Sequence, residues 1–340
     1  MISFAIDTTS KTAVYKQLIS AVSVAVKDGR LKTGELVPSM NALSGELGIS
    51  KETVKRAYYL LRSNGILEAQ QGKGFYVADT SAKSAISVLF LIDRFSVYKQ
   101  EIVHGFHQEL KGRSEDTILL HNQDIGIFEY FINENLGKFD WYVVLPHFSL
   151  DKTVQERARK IIKRIPNHKL IMADHLMPGM AGNFGAAYQD FENDVYSGLE
   201  QGAEKLEKIG NLKVIAMPTS LYWPVIKKKV TGFCQEHGID VEFLSEAPST
   251  VRKGDAFLIL TSQLDSGLIA LVDNAKGLKV GTDYHIISYN DSHVDRVVLN
   301  GLTTISTDFN EMGREIARMI NDRTLWKTHI RFKMNKRSTF

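Results

Sequence analysis

The 340 residues predict an α/β protein in two parts: a small three-helix head with a two-stranded wing, then a doubly wound, two-lobed α/β body. Helical periodicity with capping residues dominates the first eighty positions. From Ile86 onward, short apolar runs alternate with helical segments, the pattern of parallel sheets with helices on both faces. Between them ADTSAKSA (78–85) is small and polar, a linker composition. The body is long for one doubly wound sheet, so two similar lobes are expected.

In the head, a first helix is read through VYKQLISAVSVAVKDGR, with Leu18, Val22, Ala25 and Val26 apolar and Gly29 as its stop. Pro38 and Ser39 open a second helix, capped by Ser39 and ended by Gly48. Ser50 caps a third, in which Val54, Ala57, Tyr58 and Leu61 recur at i, i+3, i+4 and i+7, and Asn64-Gly65 ends it. ILEAQQGKGFYVAD then reads as two strands around a Gln71–Gly74 turn.

The third helix carries Lys51, Lys55 and Arg62 within roughly 40° of one another, beside its apolar stripe. Two helices joined by a tight Gly-containing turn, the second basic, fit a helix-turn-helix. Such a helix fits the DNA major groove, its cations meeting phosphates while Ser50 and Thr53 approach base edges; the glycine turn would be a wing whose Lys73 meets a phosphate or reaches the minor groove, and the alternative is a solvated basic face on a small helical domain. Charge agrees. Residues 1–80 hold ten Lys/Arg and seven acids, whereas the remaining 260 hold 32 of each sign, so all of the net +3 lies in the head.

In the body, nine runs read as strands: ISVLFLI, TILLH, WYVVLP, KLIMAD, LKVIAMP, VEFLS, AFLILT, HIISYN and LTTIS. No G-x-S-x-G, H-E-x-x-H, P-loop or strand-borne G-x-G-x-x-G is present, so no catalytic residue, cofactor or metal is expected. His104 and His107 could share a helix face, but two ligands without a third make poor zinc chemistry. A carbohydrate-cleaving enzyme would need two carboxylates across a cleft, for which Asp93 and Asp174 are the one pair to nominate. Composition is 44% hydrophobic and 24% charged, with no apolar run of about 18 residues and no basic-then-apolar leader. With Cys234 the single cysteine, the expected address is the cytoplasm, with no membrane partner.

Residues Tyr15–Val77 closely resemble the winged helix-turn-helix of GntR-type regulators. The matches are GRLxxG from Gly29, VPS from Val37, Leu43, LGISKxTV from Leu47, Ala57-Tyr58, Leu60, GIL from Gly65 and GxGxxV from Gly72. The resemblance implies DNA contacts from Ser39, Ser50, Lys51, Thr53, Lys55, Gln71, Gly72 and Lys73. Asn41 stands where the family usually has Arg, which implies an altered contact there.

Residues Ile86–Phe340 resemble the LacI/GalR-type effector domain, a relative of periplasmic sugar-binding proteins. The match rests on ISVLFLI with YxxEIVxGF from Tyr98, FDWYVVL from Phe139, DxxxGLxxGAxxLxxIG from Asp194, IISYND from Ile286 and, most specifically, LTTIxxDFxxMGREIA from Leu302. It implies a periplasmic-binding-protein-like fold with a small molecule between lobes crossed by three strands. Matching positions imply contacts from Phe95, Tyr98, Asp174, His175, Trp223, Lys229, Ser262, Gln263, Asn290 and Thr307. Aromatic rings would stack on sugar C–H faces and the polar groups would bond hydroxyls.

The expected domains are 1–78 (head), 79–85 (linker) and 86–340 (effector domain). Lobe 1 is expected over 86–176 and 308–326, and lobe 2 over 177–307 and 327–340. The expected function is allosteric transcriptional control of carbohydrate utilisation by a homodimer on double-stranded operator DNA. The expected effector is a monosaccharide, a pentose or deoxyhexose such as L-arabinose or L-fucose. A nucleobase or phosphosugar effector is the alternative.

Overall fold

A computed structural model describes residues 4, 6, 7, 10, 12–63, 65–70, 73–78, 85–216, 221–260 and 267–340, except the side chains of residues 27 and 63. Two compact units divide the chain, Met1–Ala85 and Ile86–Phe340.

The first unit contains α1 (Val14–Lys27), α2 (Met40–Leu47), α3 (Lys51–Ser63) and an antiparallel pair, β1 (Leu67–Gln70) and β2 (Gly74–Val77). The apolar stripe of α3 is fully buried against Leu18, Val22 and Leu43. Gly48 ends α2 at φ 63°, a left-handed conformation that costs glycine little and sets the tight turn into α3. The Tyr58 hydroxyl donates to the Pro38 carbonyl at 2.8 Å, fixing α3 against the entry to α2.

The second unit holds two six-stranded sheets. The first lobe's sheet runs β13-β7-β6-β5-β3-β4, with β3 (Ile86–Ile92), β4 (Ser114–Leu120), β5 (Trp141–Val144), β6 (Leu170–His175), β7 (Gly185–Gln189) and β13 (Lys327–His329). Helices α4 (Val97–Leu110), α5 (Ile125–Asn135), α6 (Lys152–Ile162) and α11 (Phe309–Asp322) belong to this lobe. The second sheet runs β14-β12-β11-β10-β8-β9, with β8 (Asn211–Ile215), β9 (Asp240–Leu244), β10 (Ala256–Ile259), β11 (His285–Tyr289), β12 (Thr303–Thr307) and β14 (Phe332–Asn335). It packs with α7 (Asp194–Glu200), α8 (Ala203–Ile209), α9 (Trp223–Glu236) and α10 (Gly267–Asn274). Strands pair in parallel throughout, except that β14 runs antiparallel to β12.

All nine strands expected in the body are present, joined by three more. The expected lobe boundaries need correction. Residues 185–189 and 327–329, assigned to lobe 2 from sequence, are strands of the first lobe's sheet. The chain therefore crosses between lobes at 189–194, 307–309 and 329–332. The second crossing leaves one residue, Asp308, between β12 and α11. GAAYQ escaped notice because it opens on three small residues: a Cβ on Gly185 would lie 2.7 Å from Met319 Sδ, so α11 demands a bare position there.

Candidate functional site

On the head, Lys51, Lys55 and Arg62 are exposed beside the buried stripe. Lys55 stands 3.6 Å from Glu52, a solvated pair of little energetic weight. Arg56 has a different task, its guanidinium lying 4.1 Å over the Tyr15 ring and joining α3 to α1. Ser39 Oγ accepts the Ala42 N–H at 3.1 Å, and Ser50 Oγ accepts the Thr53 N–H at 3.1 Å while bonding Thr53 Oγ1 at 2.8 Å. These hydroxyls cap helices here. Asn41 and Lys73 are exposed, and the expected contacts Gln71 and Gly72 lie outside the described residues.

In the second unit the strands of both sheets end at a shared cleft of about 310 Å³. That is the small end of the range for small-molecule sites, placed where parallel sheets present their carboxyl ends. Asp93 follows β3, His147 follows β5, Asp174 lies at the end of β6 and Gln189 ends β7. From the other lobe come Tyr222, before α9, and Tyr289 with Asn290 at the end of β11.

Asp174 organises one side. One carboxylate oxygen bonds His147 Nε2 at 2.7 Å, and the other accepts the Gln189 amide, whose own oxygen accepts Thr307 Oγ1 at 3.2 Å. Burial pushes the Asp174 carboxyl up, but the charge and hydrogen bond of His147, with Lys99 and Gln189, outweigh it and leave it at about 2. Asp93 pairs with the buried Lys99 ammonium. Burial raises it too, yet His147 and Lys99 hold it below the usual carboxylate value. Every carboxylate of the cleft is thus already matched to a cation or amide donor.

Across the gap, His147 Nδ1 meets the Tyr222 hydroxyl at 2.9 Å, and Tyr222 stacks on Phe191 at 3.8 Å with planes 7° apart. Two buried polar atoms, Tyr289 Oη and Asn290 Oδ1, have no hydrogen-bond partner among the described residues. Asp174 and Asn290 also hold positive φ, 68° and 70°, a conformation unusual for a non-glycine residue and commonest for Asn and Asp.

Of the residues expected at a ligand, Tyr98, Asp174, Trp223 and Asn290 line the cleft. Of the others, Phe95, His175, Lys229 and Thr307 do not line it. Phe95 is 48% exposed and off the cleft wall. His175 packs behind the aromatic pair, 5.5 Å from the Tyr222 ring, and burial with the His147 charge pushes its pKa down to about 4. Lys229, beyond the first turn of α9, is engaged by Asn193 Oδ1 at 3.0 Å and Glu192 at 3.7 Å. Thr307 is buried beneath Gln189, while Ser262 and Gln263 lie outside the described residues. His104 bonds Gln108 and His107 bonds Asp116, so the two histidines do not share a site; no metal-type cluster occurs among the described residues.

Sequence reasoning missed Lys99, His147, Gln189, Phe191, Tyr222 and Tyr289, and gave Asp93 only a catalytic role. His147 follows WYVVLP directly, so the strand-end rule reaches it; Gln189 had no such signal, because its strand was not visible.

A winged helix-turn-helix unit and a two-lobed cleft domain therefore occur in one chain. Residues 14–77 match the bacterial regulatory proteins of the gntR family, and residues 225–335 match a periplasmic binding protein-like domain. The chain joins a GntR helix-turn-helix domain to a periplasmic-binding-protein-like domain, a hybrid architecture. It is similar to the HTH-type transcriptional repressor YtrA of Bacillus subtilis (strain 168), 30% identical over 81 residues, 24% of this chain and 62% of that protein. It is also similar to the HTH-type transcriptional regulator GalR of Streptococcus thermophilus, 28% identical over 157 residues, 40% of this chain and 47% of that one. The matches thus span less than two thirds of each relative's length. A LacI family transcriptional regulator from Enterococcus faecalis V583, solved with bound ribose, shares the fold at TM-score 0.55 and 18% identity, over 74% of this chain and 98% of that one. No helix among the described residues is long and apolar enough to cross a membrane.

Proposed function

We propose that this protein is an allosteric transcription regulator whose head binds operator DNA and whose cleft binds a neutral monosaccharide, a pentose or deoxyhexose such as L-arabinose or L-fucose. The head's contacts would come from Lys51, Thr53, Lys55 and Lys73, with Ser39, Asn41, Ser50, Gln71 and Gly72 at the groove edge. A homodimer would present two such helices to adjacent half-sites of the control region of carbohydrate-utilisation genes.

The observation that carries the effector class is the pair of unsatisfied buried atoms, Tyr289 Oη and Asn290 Oδ1, in a cleft whose charges are already paired. A hydroxyl donates and accepts at once, so it suits both atoms, and an added ionic group would disturb the Asp93–Lys99 and Asp174–His147 pairs. The Phe191–Tyr222 stack supplies an apolar wall for sugar C–H bonds. The ribose in the Enterococcus faecalis relative's structure fits the same class. Glycoside cleavage is disfavoured because its acid needs a raised pKa, and both Asp93 and Asp174 are held low.

The test is a thermal-shift screen of the full chain over monosaccharides, followed by operator-binding anisotropy with each hit. At least one neutral sugar should raise the melting temperature and change operator affinity without being consumed. Tyr222→Ala should abolish that response while operator affinity without sugar stays unchanged. Turnover of the sugar, or a response intact in the variant, would overturn the reading.

A further inference from the structure

A second cavity, of about 510 Å³, lies at the junction of the same two lobes and shares only Phe309 with the cleft. Its charges are arranged differently. Four cations reach it from four segments: Arg314 on α11, Arg296 after β11, Lys333 on β14 and Arg337 beyond β14. Its three carboxylates are already engaged. Arg337 grips Asp291 with two nitrogens at 2.7 and 3.0 Å, Lys333 stands 3.5 Å from Asp308, and His293 meets Glu101 at 3.2 Å across the lobes.

That leaves two guanidiniums without an opposing charge. Arg314 donates to the neutral amide oxygen of Gln108 at 2.9 Å, and Arg296 has no side-chain partner among the described residues. One belongs to each lobe, and both line the same space. Planar guanidinium forks lining one cavity from two lobes suit a phosphate, which accepts paired N–H bonds from each. The cavity has room for more than a bare anion; Asn310, Asn335 and Ser292 donate to Glu101, Thr304 and Asp295, which leaves their oxygens as acceptors for hydroxyl groups beside it.

We propose that this cavity is a second effector site, for a phosphorylated sugar or polyol. The phosphate would bridge Arg296 and Arg314 and so favour one angle between the lobes, whether or not the neutral cleft is occupied. The inference does not rest on the sugar reading of that cleft.

Isothermal titration of the full chain with ribose 5-phosphate, against ribose and inorganic phosphate, tests it. One ribose 5-phosphate should bind per chain. Arg296→Gln and Arg314→Gln should each weaken it at least tenfold, with the unliganded melting temperature unchanged, and Arg296→Lys should retain part of the affinity. Tyr222→Ala, which should abolish the cleft's sugar response, should leave this binding intact. Absence of binding, binding that survives both glutamine variants or is lost in Tyr222→Ala, or inorganic phosphate binding as tightly would each overturn the proposal.

Discussion

The lowered pKa of Asp174 predicts that it stabilises the body. Its folded value of about 2 lies below the ordinary 3.8, so its contribution is complete above about pH 4 and is lost as pH falls through 2. Asp174→Asn should cost on the order of 2 kcal/mol at pH 7 in urea unfolding, with the gap to wild type closing between pH 4 and 2. A gap that ignores pH over that window would place the stabilisation elsewhere. On the head, Lys51→Ala should weaken operator binding and reduce the salt slope by about one, as loss of one phosphate contact requires; an unchanged slope removes Lys51 from the backbone. Asp174 and Asn290 were legible because they end apolar strand runs. Lys99 was not, since a lysine in a helix's first turn reads as solvated until the fold buries it against Asp93.

The clearest packing constraint among the elements is the contact between α4 and α11. A Cβ on Gly105 would lie 2.0 Å from the Asn310 carbonyl oxygen, and one on Gly313 would lie 1.9 Å from that of Ile102. The helices therefore pack backbone against backbone. Either Gly105→Ala or Gly313→Ala should cost about 3 kcal/mol or more, because the facing atoms are backbone and cannot swing aside. A fall in the urea midpoint of the full chain checks this, and unaltered stability would refute the contact. Both glycines stand inside motifs that carried the sequence resemblance, YxxEIVxGF and MGREIA, so the resemblance there has a steric cause. The head was legible in detail, since its stripe, caps and glycine turn all follow local rules. The strands KTH and FKMN were not, being short, with only Phe332 and Met334 apolar, and made strands by the sheets they edge.

At the scale of the whole effector domain, the three crossings are laced together. Thr307 bonds Gln189, and His329 Nε2 meets Asp194 at 2.8 Å between the first and third crossings. To shift such a domain from 99:1 to 1:99 between two lobe angles, a ligand must discriminate by roughly 5.5 kcal/mol. Thr307→Val removes one tie without changing side-chain shape. It should alter the sugar concentration needed for half response while leaving head-only DNA affinity untouched, as anisotropy titrations would register. An unmoved midpoint would show that tie to be passive.

The single-residue passage at Asp308 has a mechanical corollary. A strand of one lobe and a helix of the other share one pair of soft torsions there, and the same residue's Oδ1 accepts the Glu311 N–H at 3.0 Å to cap α11. A swivel of the lobes therefore tugs on that cap. The Glu311 amide becomes a strain gauge built into the backbone, and its deuterium uptake should change with effector even though no effector touches it.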